Sequence, residues 1–310
     1  MKKVFIDGSA GTTGLRIIER LQNRNDIEIL TLAETHRKLP EYRKEALNNC
    51  DIAFLCLPDA AAVEAVSFIE NEDVVVIDAS TAHRTNPDWA YGFAELGEEF
   101  MKKIENSNRI ANPGCYASGF IALVKPLVEN GIIDENELLT AHAVSGYSGA
   151  GKQGIAQYED ENKDKLLTAP RQYALTQAHK HIPEMKMISG LKNEPIFCPY
   201  VCDFYSGMTV TVPLFKSQLK NGFSAQDIKE VYKNLYNEAM VKYFESIDEN
   251  GFISAAKISD KDNMEITVAG NDERILLISR FNNLGKGASG AAVECMNIKL
   301  GCDKTTGLDL

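Results

Sequence analysis

Apolar residues come in short solid runs near the N-terminus and in longer alternating runs later, and this change of rhythm predicts two architectures. Val4-Phe5-Ile6 reads as a short buried strand followed by a glycine-rich turn. Leu15, Ile17, Ile18 and Leu21 then recur at helical spacing. Ile27 to Leu32, Ile52 to Leu57 and Val74 to Ile77 read as further strands, with an Ala-rich helix over Ala60 to Ile69. Strands that are apolar throughout and alternate with helices imply a parallel sheet covered on both faces. Beyond residue 115 the runs alternate, as in Met208 to Leu214 and Arg274 to Arg280, which fits antiparallel strands of an α+β region. Helices are expected near Ser118 to Glu129 and Ala225 to Ala239, and a small-residue helix over Gly287 to Leu300 closes the chain.

A chain of 310 residues with 44% hydrophobic content holds a real core and is long enough for two domains. Its net charge of −11 argues against broad contact with nucleic acid or anionic lipid, while a few local cations can still hold a small anionic substrate. No apolar run spans a bilayer, and the N-terminal Lys2-Lys3-Val4-Phe5-Ile6 stops at Asp7, too soon for a signal peptide. Seven cysteines at scattered spacings do not form a disulfide framework, and Cys198 and Cys202 lack a second ligand pair, so no metal is expected. The expected compartment is the reducing cytoplasm.

The turn after the first strand is Gly8-Ser9-Ala10-Gly11-Thr12-Thr13-Gly14. Between a strand and an amphipathic helix, such glycines let backbone N–H groups approach a pyrophosphate at the helix N-terminus. The spacing is G-x-x-G-x-x-G, so its position between strand and helix carries part of the argument. Gly8, Ser9, Gly11, Thr12, Thr13 and Gly14 are therefore candidate cofactor contacts, and the fold class is α/β with a Rossmann-type parallel-sheet domain. After the second strand, Glu34 suits ribose hydroxyls, whereas Thr35, Arg37 and Lys38 suit a 2′-phosphate. The balance favours NADP(H), with Arg37 the leading contact.

Asn112-Pro113-Gly114 breaks the chain immediately before an apolar helical pattern, placing Cys115 on or before the first helical turn. There the positive end of the helix favours a thiolate, and nearby backbone N–H groups suit an oxyanion. Cys50, Cys56 and Cys295 sit inside apolar segments and read as packing residues. Two of the five histidines fall in His179-Lys180-His181-Ile182-Pro183-Glu184. Read as extended chain, this segment offers an imidazole for proton transfer, with Glu184 orienting it or binding substrate.

Taken together, these segments resemble the N-acetyl-gamma-glutamyl-phosphate reductase family, and the length suits its shorter form. The matching stretches run in the family's order: Gly8 to Gly14, Ile52 to Pro58, Val76 to Arg84, Asn112 to Tyr116, Ser145 to Lys152, His179 to Glu184 and Asn282 to Gly290. The resemblance implies that Cys115 is the nucleophile and that His179 and His181 supply acid/base and substrate contacts. It implies that Arg84 holds the substrate's carboxylate, that Ser145, Gly146 and Ser148 form a loop near the phosphate or acyl group, and that Asn283 and Gly285 return to the nicotinamide side. One departure is Ala82-His83, where longer relatives carry an acidic-aromatic pair. The implied organisation is an NADP-binding domain over 1–115 completed by a C-terminal helix within 286–310. A catalytic and dimerisation α+β domain over 116–285 carries a mostly antiparallel sheet. The implied reaction is NADPH-dependent reduction of an acyl phosphate to an aldehyde through a Cys115 thioester, by a homodimer or homotetramer. Two alternatives stand beside it: an aspartate-semialdehyde dehydrogenase, and an NADP-binding regulator without catalysis.

Overall fold

A computed structural model describes residues 1–310 and divides the chain into two compact units, Met1–Pro113 with Ala288–Leu308, and Gly114–Gly287 with Asp309–Leu310.

The first unit runs β1 (Lys2–Asp7), α1 (Thr12–Leu21), β2 (Ile27–Leu30), α2 (Pro40–Asn49), β3 (Ile52–Leu55), α3 (Asp59–Ser67) and β4 (Val75–Asp78). It continues through β5 (Ala90–Tyr91), α4 (Glu98–Asn106) and β6 (Arg109–Ala111). Every pairing in its sheet is parallel, in the order β2-β1-β3-β4-β6-β5. Side chains alternate across each strand, so the two faces collect different residues. Val4, Ile6, Ile52, Phe54, Ile77 and Ile110 pack with Ile17 and Leu21 of α1 and with Ala292, Val293 and Met296 of the closing helix, Gly290–Leu300. Phe5, Ala53, Leu55 and Val76 pack instead with Ala46 and Leu47 of α2 and Ala62 and Ala65 of α3. The strand order reverses between β1 and β3, the point at whose carboxyl ends open α/β sheets bind ligands. Leu15, expected on the inward stripe of α1, is exposed, and β2 ends two residues early.

The second unit runs α5 (Cys115–Glu129), β7 (Thr140–Gly146), α6 (Gly151–Glu159), β8 (Arg171–Gln172), α7 (Ile182–Ser189), β9 (Ile196–Cys202) and β10 (Met208–Phe215). Then come α8 (Ala225–Leu235), β11 (Val241–Tyr243), β12 (Met264–Asn271) and β13 (Arg274–Phe281). Its sheet is mixed and mostly antiparallel, ordered β11-β12-β13-β10-β7-β9-β8. Helix α5 is buried almost end to end and packs on β10 and β13 and against α7 and α8. Pro126 interrupts it chemically, because a proline cannot donate to the carbonyl four residues back. That carbonyl, on Ala122, accepts the Tyr236 hydroxyl at 2.7 Å instead, and the Tyr232 hydroxyl donates to Leu123 next to it. A single π turn, Gly285–Ser289, precedes the closing helix where an α-helix was expected from Gly287.

No helix is long and apolar enough to cross a membrane.

Candidate active site

In the first unit, Gly8 leaves β1 with φ +87°, a conformation that favours glycine, and the Cys56 carbonyl fills the place a Cβ would take. Gly11 N–H donates to Gly8 O at 2.9 Å and caps α1. A Cβ on Gly14 would lie 2.6 Å from the same Gly8 oxygen. The turn is thus pressed flat against the helix start, where the first-turn N–H groups have no partner within the helix. Such a cradle fits a pyrophosphate, so the residues present suit a dinucleotide. Ser9, Thr12 and Thr13 lie on this turn and the first turn of α1. Arg37, expected to meet a 2′-phosphate, pairs with Glu34 at 2.9 Å on the exposed turn after β2.

Arg84 lies in the segment following β4. Asp78, fully buried at the strand end, accepts Ser80 N–H at 2.9 Å, Ser80 Oγ–H at 2.7 Å and lies 2.7 Å from His83 Nδ1. The His83 ring stacks on Trp89 at 4.0 Å. Arg84, 8% exposed, donates Nε–H to Asn112 O at 2.9 Å and Nη2–H to Ala79 O at 3.0 Å. It therefore ties the exits of β4 and β6 together, a duty the sequence alone did not reveal.

In the second unit, Cys115 is the first residue of α5, with Gly114 as its cap. Glu184, buried in the first turn of α7, accepts Gly114 N–H at 2.9 Å. Its carboxylate anchors the residue just before Cys115. A Cβ on Gly287 would stand 2.8 Å from Cys115 Cβ, so only glycine lets the π turn approach this closely. Beside the cysteine, the Tyr116 ring lies 5.9 Å from each of His179 and His181, whose own rings are 4.7 Å apart. Phe197 and Tyr173 close the ring cluster around His179, at 5.2 and 5.9 Å. Burial, with the neighbouring Tyr173 and Cys115 adding to it, drives the pKa of Tyr116 well up. It remains a neutral phenol.

The histidine segment is not extended. His181 is the αR cap of α7, and its backbone N–H donates to His179 Nδ1 at 3.1 Å. With Nδ1 accepting, the proton of neutral His179 sits on Nε2. Burial pushes this imidazole down to about 4, and the neighbouring Lys180 charge adds to the fall. His179 is consequently a fixed hydrogen-bond donor at neutral pH. Burial pushes the Cys50 and Cys56 thiols up to about 12, which suits packing residues.

Three expected contacts turn inward. Ser148 Oγ accepts Asn283 Nδ2–H at 2.9 Å, and Asn283 Oδ1 accepts Gly207 N–H at 2.9 Å. Both ends of the Asn283 side chain are thus engaged within the unit. Gly285 packs against Lys261 and Asp262. Ser145 Oγ–H donates to Gly146 O at 3.0 Å, and Gly146 N–H to Gly207 O at 3.0 Å. Tyr173, Phe197, Gly207 and Gly287 had no local signal, since each is defined by a neighbour far along the chain.

Two family models match the two units. One, described as the semialdehyde dehydrogenase NAD binding domain, covers residues 3–104, and the other, the semialdehyde dehydrogenase dimerisation domain, covers 115–283. An N-acetyl-gamma-glutamyl-phosphate reductase of Sinorhizobium medicae (strain WSM419) is 44% identical over 305 residues, spanning 96% of this chain and 98% of that protein. The chain belongs to the N-acetyl-gamma-glutamyl-phosphate reductase family. A further member, from Brucella ovis, is 43% identical over 306 residues, spanning 96% of this chain and 99% of its own. The fold of this reductase family member is shared more widely. The aspartate semialdehyde dehydrogenase II of Vibrio cholerae complexed with ASA aligns with a TM-score of 0.73 at 18% identity, covering 97% of this chain and 98% of its own. The Candida albicans aspartate semialdehyde dehydrogenase with NADP aligns at 0.66 and 16%, covering 97% and 99%. At such identities the likeness shows the fold.

Proposed function

We propose that the protein reduces N-acetyl-gamma-glutamyl phosphate to N-acetylglutamate 5-semialdehyde with NADPH, through a thioester on Cys115. The observation that carries this reading is Cys115 itself, at the start of α5, approached by Gly287 and followed by Tyr116, whose ring lies 5.9 Å from those of His179 and His181. The thiolate attacks the acyl carbon, the carbon–oxygen bond to phosphate breaks, and inorganic phosphate leaves. The first-turn N–H groups of α5 suit the acyl oxygen as charge builds on it. Gly8, Ser9, Gly11, Thr12, Thr13 and Gly14 hold the dinucleotide, with Arg37 reaching its 2′-phosphate. When bound, the nicotinamide supplies the hydride that takes the acyl group to the aldehyde level. We assign proton transfer to His181, because His179 is neutral with its Nδ1 already accepting a hydrogen bond. His179 then donates from Nε2 to substrate oxygen. Arg84 holds the substrate carboxylate while keeping its backbone ties, and Ser145 and Gly146 border the acyl group.

The protein acts as a homodimer in the cytoplasm in this reading. One face of the second sheet carries Thr140, His142, Val144, Ile196, Cys198, Tyr200, Thr209, Thr211, Pro213 and Leu276, which the strand registers place together opposite the face packed on α5. Ile196 and Leu276 are exposed there. A second copy is the partner that such a patch suits. Seven free thiols fit a reducing compartment.

The test is the reverse reaction, with purified protein, N-acetylglutamate 5-semialdehyde, phosphate and NADP, followed by absorbance of the reduced cofactor. Phosphate-dependent reduction, lost in Cys115→Ser, is expected. Activity with aspartate semialdehyde alone would keep the chemistry and replace the substrate. No reduction with either aldehyde would overturn the reading in favour of a binding protein.

A further inference from the structure

Asp7 occupies a position where the pattern of β1 calls for an apolar side chain. It follows Phe5 by two residues, shares the face covered by α2 and α3, and is 4% exposed. Arg43 of α2 reaches it there, donating Nε–H to Asp7 Oδ2 at 3.0 Å and Nη1–H to Glu64 Oε2 of α3 at 2.8 Å. Its guanidinium lies 5.4 Å from the Phe68 ring centroid, and Arg43 is itself buried. A buried ion pair of this kind earns little stability, since well-packed apolar residues of similar volume often do as well or better. Its geometry has another consequence. The Asp7 backbone carbonyl accepts Cys56 N–H at 2.8 Å and Gly8 O accepts Gly11 N–H at 2.9 Å, so the side chain that Arg43 anchors belongs to the residue from which the turn departs. The Gly8 peptide is therefore gripped on both sides while its φ is +87°.

We propose that Asp7 and Arg43 are positioning residues for the cofactor loop, fixing the Gly8 peptide so that the following N–H groups face a dinucleotide pyrophosphate. The inference rests on the NADP(H) reading above. Arg43 holds the Asp7 carboxylate and, through it, the end of β1 from which Gly8 departs; neither side chain touches the cofactor. Glu64 and Phe68 hold the guanidinium in place. Loosening the grip lets the turn sample orientations that do not bind phosphate, and the cost falls on cofactor affinity rather than on the turnover of the loaded enzyme.

The experiment titrates NADPH fluorescence against the full-length protein and records the melting temperature and the split between KM and kcat. Asp7→Asn and Arg43→Met are expected to weaken NADPH binding roughly ten-fold and raise KM for NADPH in step. The kcat at saturating cofactor stays within about two-fold, while Tm falls in Arg43→Met because Asp7 is left buried without its partner. Arg43→Lys is expected to recover part of the loss, because an ammonium can still pair with Asp7. Should the single variants fold poorly, Asp7→Leu combined with Arg43→Met replaces the ion pair by apolar groups. A folded double variant with weak NADPH binding supports the proposal. Parent-like binding in folded Asp7→Asn, Arg43→Met or the double variant, or failure of the double variant to fold, overturns it and leaves the pair a purely structural one. If the parent protein itself binds no NADPH, the cofactor reading falls instead, which the same titration shows before any variant is made.

Discussion

At the scale of single residues, the account turns on what surrounds Cys115. Gly287 lies close to it, and an added methyl would meet Cys115 Cβ at 2.8 Å. Gly287→Ala is expected to lower kcat by about 10²-fold through displacement of the nucleophile, since a shift near 1 Å costs about that much. Steady-state kinetics beside a melting curve checks it, and a parent-like kcat would remove Gly287 from the site. His179 makes a different prediction. Its folded pKa, about 4, lies below the value near 6.5 of an unfolded imidazole. Between those values the unfolded chain binds more protons, so stability falls as pH drops from about 6.5 to about 4. Urea melts across that window are expected to show a shallower fall in His179→Asn; an identical slope would contradict the assignment. Cys115 was legible because Pro113 and Gly114 mark a helix start. Gly287 was not, because a close approach between distant segments leaves no local pattern.

Among elements, α5 shows how a helix with an internal proline stays intact. Tyr236→Phe strips the Ala122 carbonyl of its donor and is expected to destabilise the protein by about 1–3 kcal/mol. Pro126→Ala restores a backbone N–H to that carbonyl, so the penalty of Tyr236→Phe shrinks in that background. A double-mutant cycle by denaturant unfolding measures this coupling, and strict additivity would refute it. Strands such as β10 and β13 were legible from their solid or alternating apolar runs. Helix α2 was not, since only Arg43, Ala46 and Leu47 of its ten residues are buried and one of those is charged. The histidine segment misled as extended chain, although Pro183 and Glu184 in the first turn of α7 are helix-start residues. The inward turn of Ser148 and Asn283 toward each other was equally hidden, because a side-chain bond between residues 135 apart has no sequence signature.

For the molecule as a whole, the sheet face carrying exposed Ile196 and Leu276 predicts association. Sedimentation equilibrium is expected to give twice the 34.2 kDa chain mass, and Leu276→Asp with Ile196→Asp to shift the protein toward the monomer. A parent that stays monomeric at micromolar concentration would contradict the dimer. The central claim, however, is covalent chemistry on one cysteine, and intact-mass spectrometry tests it most directly. Protein mixed with N-acetyl-gamma-glutamyl phosphate, without any nicotinamide cofactor, is expected to release phosphate and gain one N-acetylglutamyl group. Peptide mapping should place that group on Cys115, and Cys115→Ala should gain nothing. An adduct on another residue, or phosphate release by the folded protein with no adduct at all, would contradict the account.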